Sequence, residues 1–204
     1  YIIGTNKHHG NFIIRRSTDN GRIWSVPFDA KHGLLLEGEY HTAPVPMVIH
    51  NGRIWRAVEY ATGKSNNWGV RYSAMVVSAP VHSDLLNAKN WRATNHLPYD
   101  KTYLNGNFGG WLEGNAVLAR NGRIVDVLRT HTPKLKNEYC AIVTISRNGK
   151  HACFKPDHFF EMPGASKKFT IRYDKKTDKY WSIMNYVSAK DRNVSNYRIR
   201  NTLA

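Results

Sequence analysis

The sequence predicts an all-β protein built from four-stranded antiparallel sheets repeated as the blades of a β-propeller, and three observations carry that prediction. Asn-Gly hairpin turns recur between apolar runs, the turns mark out a repeating unit of four short strands, and no stretch shows the apolar period of an amphipathic helix of three turns.

The turns are Asn51-Gly52-Arg53-Ile54, Asn121-Gly122-Arg123-Ile124 and Asn148-Gly149-Lys150. Asn-Gly accepts positive φ at both positions, as a two-residue type I′ hairpin requires. Aligned on them, one unit reads 44–49, 54–59, 73–78 and 91–94, and the next reads 115–119, 124–129, 139–146 and 150–154. A third begins with 168–173 and 179–186 and continues from Asn201. Gly52 and Gly122 stand roughly 70 residues apart, a repeat that suits blades with long loops on one face. A two-sheet sandwich is the competing arrangement. The expected blades are 1–33, 34–98, 99–158 and 159–204, three to four members of a six- or seven-bladed ring, read as one partial domain. The chain is expected to open on the second strand of a blade, since Tyr1-Ile2-Ile3 already reads as strand with no initiator Met or leader before it. A piece of this kind does not close a ring alone, and its open edges call for further blades.

Of the 204 residues 41% are hydrophobic and 12% aromatic, which excludes disordered and collagen-like chains. No run approaches the ~20 apolar residues of a membrane helix. Thirty Lys and Arg against 15 Asp and Glu leave a net charge of +15, which favours a polyanionic partner. Nucleic acid fits poorly, because the basic residues are scattered singly, without a basic helix, zinc-finger spacing or an RNA-binding aromatic signature. An acidic polysaccharide fits better, and no protein partner is implied. Zinc spacing, phosphate loops and GxSxG elbows are absent from the sequence, so no cofactor is expected, and a structural cation is the one metal role left open.

Cys140 and Cys153 fall on the two arms of the hairpin around Asn148-Gly149, where pairing sets Cys153 opposite Thr144. Four residues of strand separate the sulfurs by about 13 Å, too far for a disulfide. Two free, buried thiols are expected.

Residues 17–24, Ser-Thr-Asp-Asn-Gly-Arg-Ile-Trp, fit Ser-x-Asp-x-Gly-x-x-Trp. This resembles the Asp-box of sialidases and related propellers. The chemistry of the motif is structural: the Asp19 carboxylate accepts backbone N–H groups, Gly21 takes positive φ, and Trp24 wedges under the hairpin. A degenerate copy with an insertion runs over 78–91 around Asp84. Segments 38–59 (GEYHTAPVPMVIHNGRIWRAVE), 108–115 (FGGWLEGN) and 167–174 (KKFTIRYD) are similar to bacterial sialidase-family proteins, so that the resemblance to the sialidase superfamily covers the whole chain. Within that superfamily the pattern also resembles the propeller lyases that cleave ulvan, an acidic seaweed polysaccharide. The resemblance implies a carbohydrate-active enzyme that is secreted, periplasmic or at a bacterial cell surface.

Candidate site residues lie in loops that a four-stranded blade collects on one face, namely 4–11, 34–44, 59–72, 99–115, 129–139, 157–168 and 186–201, with the Asp-box and Asn-Gly turns on the other. His8, His9, Tyr40, His41, Arg56, Glu59, Tyr60, Arg71, Glu113, Arg129 and His131 are the titratable groups there. Such a set contains what β-elimination needs: an Arg to neutralise a uronate carboxylate, a neutral His to take the C5 proton, and a Tyr hydroxyl for the leaving oxygen. The ulvan-lyase resemblance implies His9, Tyr40 and Arg56 as the catalytic set, with the other residues, together with Trp111 and Asn115, binding substrate. A second histidine of that family would precede Tyr1. Two alternatives stand beside the lyase. One is an exo-α-sialidase-like glycoside hydrolase, using Glu59 with Tyr60 and the arginines Arg56, Arg71 and Arg129, or the carboxyl pair Glu59 and Glu113. The other is a non-catalytic propeller in which Trp68, Trp111 and the tyrosines stack on sugars. The lysines 167 and 168 read as solvated charges.

Overall fold

The computed structural model describes residues 1–188, 191, 200 and 202–204. Fourteen named strands form three antiparallel sheets. The first contains β1 (Ile2–Thr5), β2 (Gly10–Arg15), β3 (Leu34–His41), β4 (Val48–His50), β5 (Arg53–Ala61), β6 (Tyr72–Pro80) and β7 (Arg92–Ala93). The second contains β8 (Gly110–Leu118), β9 (Ile124–His131), β10 (Tyr139–Ile145), β11 (Ala152–Cys153) and β12 (Phe159–Glu161), and the third pairs β13 (Thr170–Asp174) with β14 (Lys179–Ile183).

Both complete four-strand units expected from the turns are present, as β4-β5-β6-β7 and β8-β9-β10-β11. One expected loop is not a loop. Residues 34–41 form β3, which pairs with β2 through Phe12↔Leu36 and Ile13↔Leu34 and reaches β5 through Tyr40↔Tyr60 and His41↔Glu59. The first sheet therefore runs across the expected boundary at residue 33, because the apolar residues of 34–36 complete the hairpin begun by β2. The expected continuation of the third unit at Asn201 lies outside the described residues, although Leu203 bridges Asn185.

The Asn-Gly turns divide into two kinds. Asn51 (φ 46) and Gly52 (φ 68) are both left-handed, as type I′ demands. Around Gly122 and Gly149 only the glycine is left-handed, and Gly122 N–H and Gly149 N–H bond back to Ala119 and Ser146 at 2.9 Å. These longer hairpins need one αL residue where a two-residue loop needs two.

Three apolar clusters hold the sheets together. Trp55, Ala57 and Val76 of the first sheet pack on Trp111, Leu128 and Val143 of the second. The other side of the first sheet buries Phe12, Ile14, Val58 and Val77 beneath Leu85 and Leu86. Val117, Val127 and Cys140 of the second sheet meet Ala165, Phe169 and Ile171 toward the third. Cys153 stands opposite Thr144 as expected, and both cysteines are free, but Cys153 is exposed because β11 is an edge strand. Cys140 is buried, and desolvation pushes its thiol pKa up. No helix among the described residues is long and apolar enough to cross a membrane.

Candidate functional site

Several strands carry a turn at one end and a chemically equipped residue at the other. β2 follows His9 and leads into the Asp-box, β5 runs from the Asn51-Gly52 turn to Glu59, and β9 runs from the Gly122 turn to Arg129 and His131. The ends that carry functional groups meet in a cleft of about 590 Å³. It is lined by His8, His9, His41, Trp68, Glu113, Arg129, His131 and Lys168, together with Thr5, Thr42 and Arg200.

His9 has left-handed backbone (φ 53), which turns its ring back over the start of the first sheet. Its Nδ1 lies 3.3 Å from Arg71 Nη1, and its Nε2 bonds the Tyr72 hydroxyl. A guanidinium only donates, so Nδ1 holds a lone pair and the proton of the neutral ring sits on Nε2. That Nε2–H points at Tyr72 Oη, leaving the phenolic hydrogen free to be given elsewhere. Arg71 is tied in turn to Glu39 at 2.5 Å. His8 stacks on His9 with centroids 3.9 Å apart, and Trp68, 41% exposed, stands 6.4 Å from both rings. His41 packs its ring on Tyr72 at 5.0 Å.

The wall contributed by the second sheet is an ion-paired group. Arg129 Nη1 donates to Glu113 Oε2 at 2.7 Å, and Lys168 Nζ lies 3.4 Å from Glu113 Oε1. Arg129 Nε also holds the Ser166 carbonyl at 3.0 Å. Burial alone would raise the Glu113 pKa, but the Arg129 charge brings it below the ordinary value. Lys168 keeps more than half of its side chain in solvent. Lys167, by contrast, is buried and paired with Glu138, which also accepts from Gly164 N–H at 2.7 Å. The expectation of a solvated Lys167 is therefore corrected, the pairing being what makes burial of its ammonium affordable.

Three of the cleft imidazoles are shifted toward the neutral form. Desolvation, with Arg71 beside it, lowers the pKa of His9. Burial lowers that of His41, and burial with Arg129 lowers that of His131. Tyr72 is pushed up by desolvation, so it stays protonated.

Beneath the cleft lies a second polar layer. Glu59 is wholly buried, accepts from Gly114 N–H at 2.8 Å through Oε1, and places Oε2 3.5 Å from His41 Nδ1. Asp126 is buried against Gly114, where a Cβ would stand 2.3 Å from its Oδ1. Arg56 donates to the carbonyls of Val45 (2.9 Å) and Ala43 and to Thr42 Oγ1 (2.9 Å). Burial lowers Arg56 to about 10, opposed by Glu59 and Asp126. Burial raises both carboxyls well above their ordinary values, Glu113 raising Glu59 further and Glu59 raising Asp126 further.

Of the thirteen expected site residues, His8, His9, His41, Glu113, Arg129 and His131 line the cleft, and Arg71 borders it through His9. Six others do not reach it. Tyr40 is buried, stacks on Tyr60 at 4.6 Å, and packs on Phe12 in the core, where desolvation lifts its pKa to about 12. Arg56 is 2% exposed and spent on loop carbonyls. Trp111 is core, its Nε1–H held by the Pro98 carbonyl at 3.0 Å. Asn115 is buried, with Nδ2 3.4 Å from the Phe169 carbonyl. Tyr60 points away from Glu59 because neighbours on a strand face opposite sides, which breaks the nucleophile pair expected of a sialidase. Glu59 itself sits behind His41 and lines no cleft. Trp68 and Lys168 line the cleft in their place, and Tyr72, itself wholly buried, adjoins it through its bond to His9. Tyr72 follows Arg71 at the cleft end of β6, a position that strand alternation and the end of the 59–72 loop mark as a site candidate.

Among the described residues no group of three or more His, Cys, Asp or Glu side chains is set out to hold a metal ion. No protein-family model matches the chain, and no curated protein matches it. Among solved structures it is similar to a protein of unknown function from Dyadobacter fermentans, with TM-score 0.55 and 15% identity, covering 92% of this chain and 50% of that one. It also aligns with an alpha-L-arabinofuranosidase from Lactobacillus brevis at TM-score 0.40 and 15% identity, covering 71% of this chain and 47% of that one. The first is a likeness of fold alone. The chain spans about half the length of either protein.

Proposed function

We propose that the chain forms part of a sialidase-superfamily β-propeller, and that its cleft cleaves an acidic, uronate-containing polysaccharide by β-elimination. Three antiparallel sheets packed face on face, with the functional strand ends gathered at one cleft, support the propeller reading. The observation that carries the elimination reading is the His9 ring held between Arg71 and Tyr72 at the edge of a cationic cleft.

Elimination moves one proton from C5 of the uronate to the leaving O4 while the C4–O4 electrons depart and a C4=C5 bond forms. Arg129 and Lys168 stand where a substrate carboxylate would be neutralised, which acidifies C5–H. Tyr72, protonated and buried beside His9, gives its phenolic hydrogen to an O4 that must reach it past the His9 ring. His9 Nε2–H keeps its proton and stabilises the resulting phenolate through the same hydrogen bond, and the phenolate is reprotonated from solvent as product leaves, while the C5 proton returns to solvent from the base. A neutral imidazole of the cleft takes the C5 proton. Tyr72 thus assumes the part expected of Tyr40, and Arg129 that expected of Arg56.

The two-carboxyl hydrolase is less well served, because Glu59 is sealed under His41 and Glu113 is engaged by Arg129. A binding-only reading draws on one observation, the exposed Trp68 beside two histidine rings. The test incubates the full-length protein with ulvan, other uronate polymers and a sialoside, recording ultraviolet absorbance and reducing ends together. Elimination produces both signals from a uronate polymer. Reducing ends without absorbance would overturn it in favour of hydrolysis, and retained binding with neither signal would favour the binding module.

A further inference from the structure

Six buried polar atoms under the cleft lack hydrogen-bond partners: His41 Nδ1, Arg56 Nε, Glu59 Oε2, Asn115 Oδ1 and both oxygens of Asp126. Two of them face each other, His41 Nδ1 and Glu59 Oε2, 3.5 Å apart. The far side of the same imidazole, Nε2, looks into the cleft and lies 4.0 Å from Glu113 Oε1. Resting on the elimination reading above, we infer that His41 is the imidazole that takes the C5 proton, and that Glu59 is the positioning residue that keeps His41 Nε2 an acceptor.

The argument turns on where one negative charge sits. Glu59 and Asp126 meet at Gly114, close to the single guanidinium of Arg56. Two carboxyls sharing one proton beside one Arg leave the interior neutral, whereas two ionised carboxyls do not. Glu59 accepts from Gly114 N–H and has His41 Nδ1 within reach at 3.5 Å, while among the described residues neither Asp126 oxygen makes a hydrogen bond, the Asn115 backbone lying near enough only to oppose burial weakly. The charge therefore belongs on Glu59 and the proton on Asp126. An ionised Glu59 accepts from His41 Nδ1–H, so Nε2 carries the lone pair. When Nε2 takes the C5 proton, Nδ1–H passes to Glu59 Oε2, and both protons are accounted for without a lasting imidazolium. The other groups around the His41 ring are His8 and His9 at 6.1 Å, Tyr72, Trp68, Glu113, and the charges of Lys168 and Arg129. Of these, Glu113 favours a protonated ring and the two cations oppose it, so none of them replaces Glu59 at Nδ1.

Nitrogen NMR of the full-length, ligand-free protein reads the tautomer directly. His41 is expected as the Nδ1–H form at neutral pH. In Glu59→Gln the amide oxygen is claimed by Gly114 N–H, which turns the NH₂ toward Nδ1 and forces the Nε2–H form. On a uronate polymer, kcat of that variant falls by about 10²-fold or more with KM little changed, and Glu59→Asp recovers part of the loss with the Nδ1–H tautomer. A wild-type His41 found as Nε2–H, or an unchanged tautomer in Glu59→Gln, overturns the inference even if elimination product forms. The wild-type spectrum alone decides if the Gln variant does not fold. Absence of unsaturated product on every uronate polymer instead removes the elimination reading, and the role of His41 as its base with it.

Discussion

Two polar networks in this protein have nearly the same ingredients and opposite characters. In the 17–24 turn, Asp19 Oδ1 accepts from Ser17 Oγ (2.7 Å), Ile23 N–H (2.9 Å) and Arg22 N–H (3.0 Å), and Trp24 Nε1–H closes on Gly21 at 2.9 Å. All the partners lie within seven residues, and the carboxylate is in water. Those hydrogen bonds, led by Ile23 N–H, hold its pKa below the ordinary carboxylate range. The Arg56–Glu59–Asp126 layer joins residues up to 70 positions apart, lies in the core, and leaves oxygens of both carboxyls without partners. There burial wins over hydrogen bonding, and the carboxyl pKa values rise. A carboxyl that organises a turn is satisfied by backbone and stays charged, whereas one that underlies a cleft is under-satisfied and can exchange a proton.

Breaking the buried layer should give the largest loss of stability. Arg56→Met removes the donor for two loop carbonyls and a guanidinium that faces two buried carboxyls, and chemical denaturation should register a loss of about 3 kcal/mol or more. Tyr72→Phe keeps the ring and its packing but deletes the proton donor, so formation of unsaturated product should fall by about 10² to 10⁴-fold. Tyr40→Phe should leave that rate near wild type, and an equal drop in both would return the catalytic tyrosine to position 40. A third test uses pH. Burial raises the Glu59–Asp126 pair so that it keeps one proton, on Asp126, that the unfolded chain gives up; the native state therefore binds more protons than the unfolded one, and stability declines as pH rises above the ordinary carboxyl range of about 4. Asp126→Asn should flatten that decline in denaturation midpoints measured from mildly acid to alkaline pH. The smallest effect belongs to the Asp-box, where Asp19→Ala should lower the midpoint less than Arg56→Met does and leave product formation unchanged. A loss of activity there would mean that the turn end and the cleft end are coupled.

The strands were legible because their cues are local. Asn51-Gly52 marks a hairpin by its own backbone preferences, and the predicted 54–59 lies inside β5, Arg53–Ala61. The sidedness of the cleft was legible too, since alternating strand direction sends 8–9, 59–72 and 129–131 to one end. Which tyrosine adjoins the cleft was not. Tyr40 and Tyr72 sit equally close to that end, and only the packing of Tyr40 on Phe12 and the bond from Tyr72 to a histidine 63 residues away tell them apart. β3 was missed because Leu34 to Leu36 is an apolar run too short to separate from a loop until β2 is there to pair with it.

By itself the amino-acid sequence determined the all-β character, the two four-strand units, the hydrogen-bonded turn at 17–24 and the gathering of histidine and arginine into loops of one end, for each depends on residues a few positions apart. Which of those groups face solvent, which are spent on the core, and which share a proton was decided only in three dimensions. Burial and hydrogen bonding between distant strands set the protonation state of Glu59, Asp126 and His41, and no spacing along the chain encodes a dielectric environment.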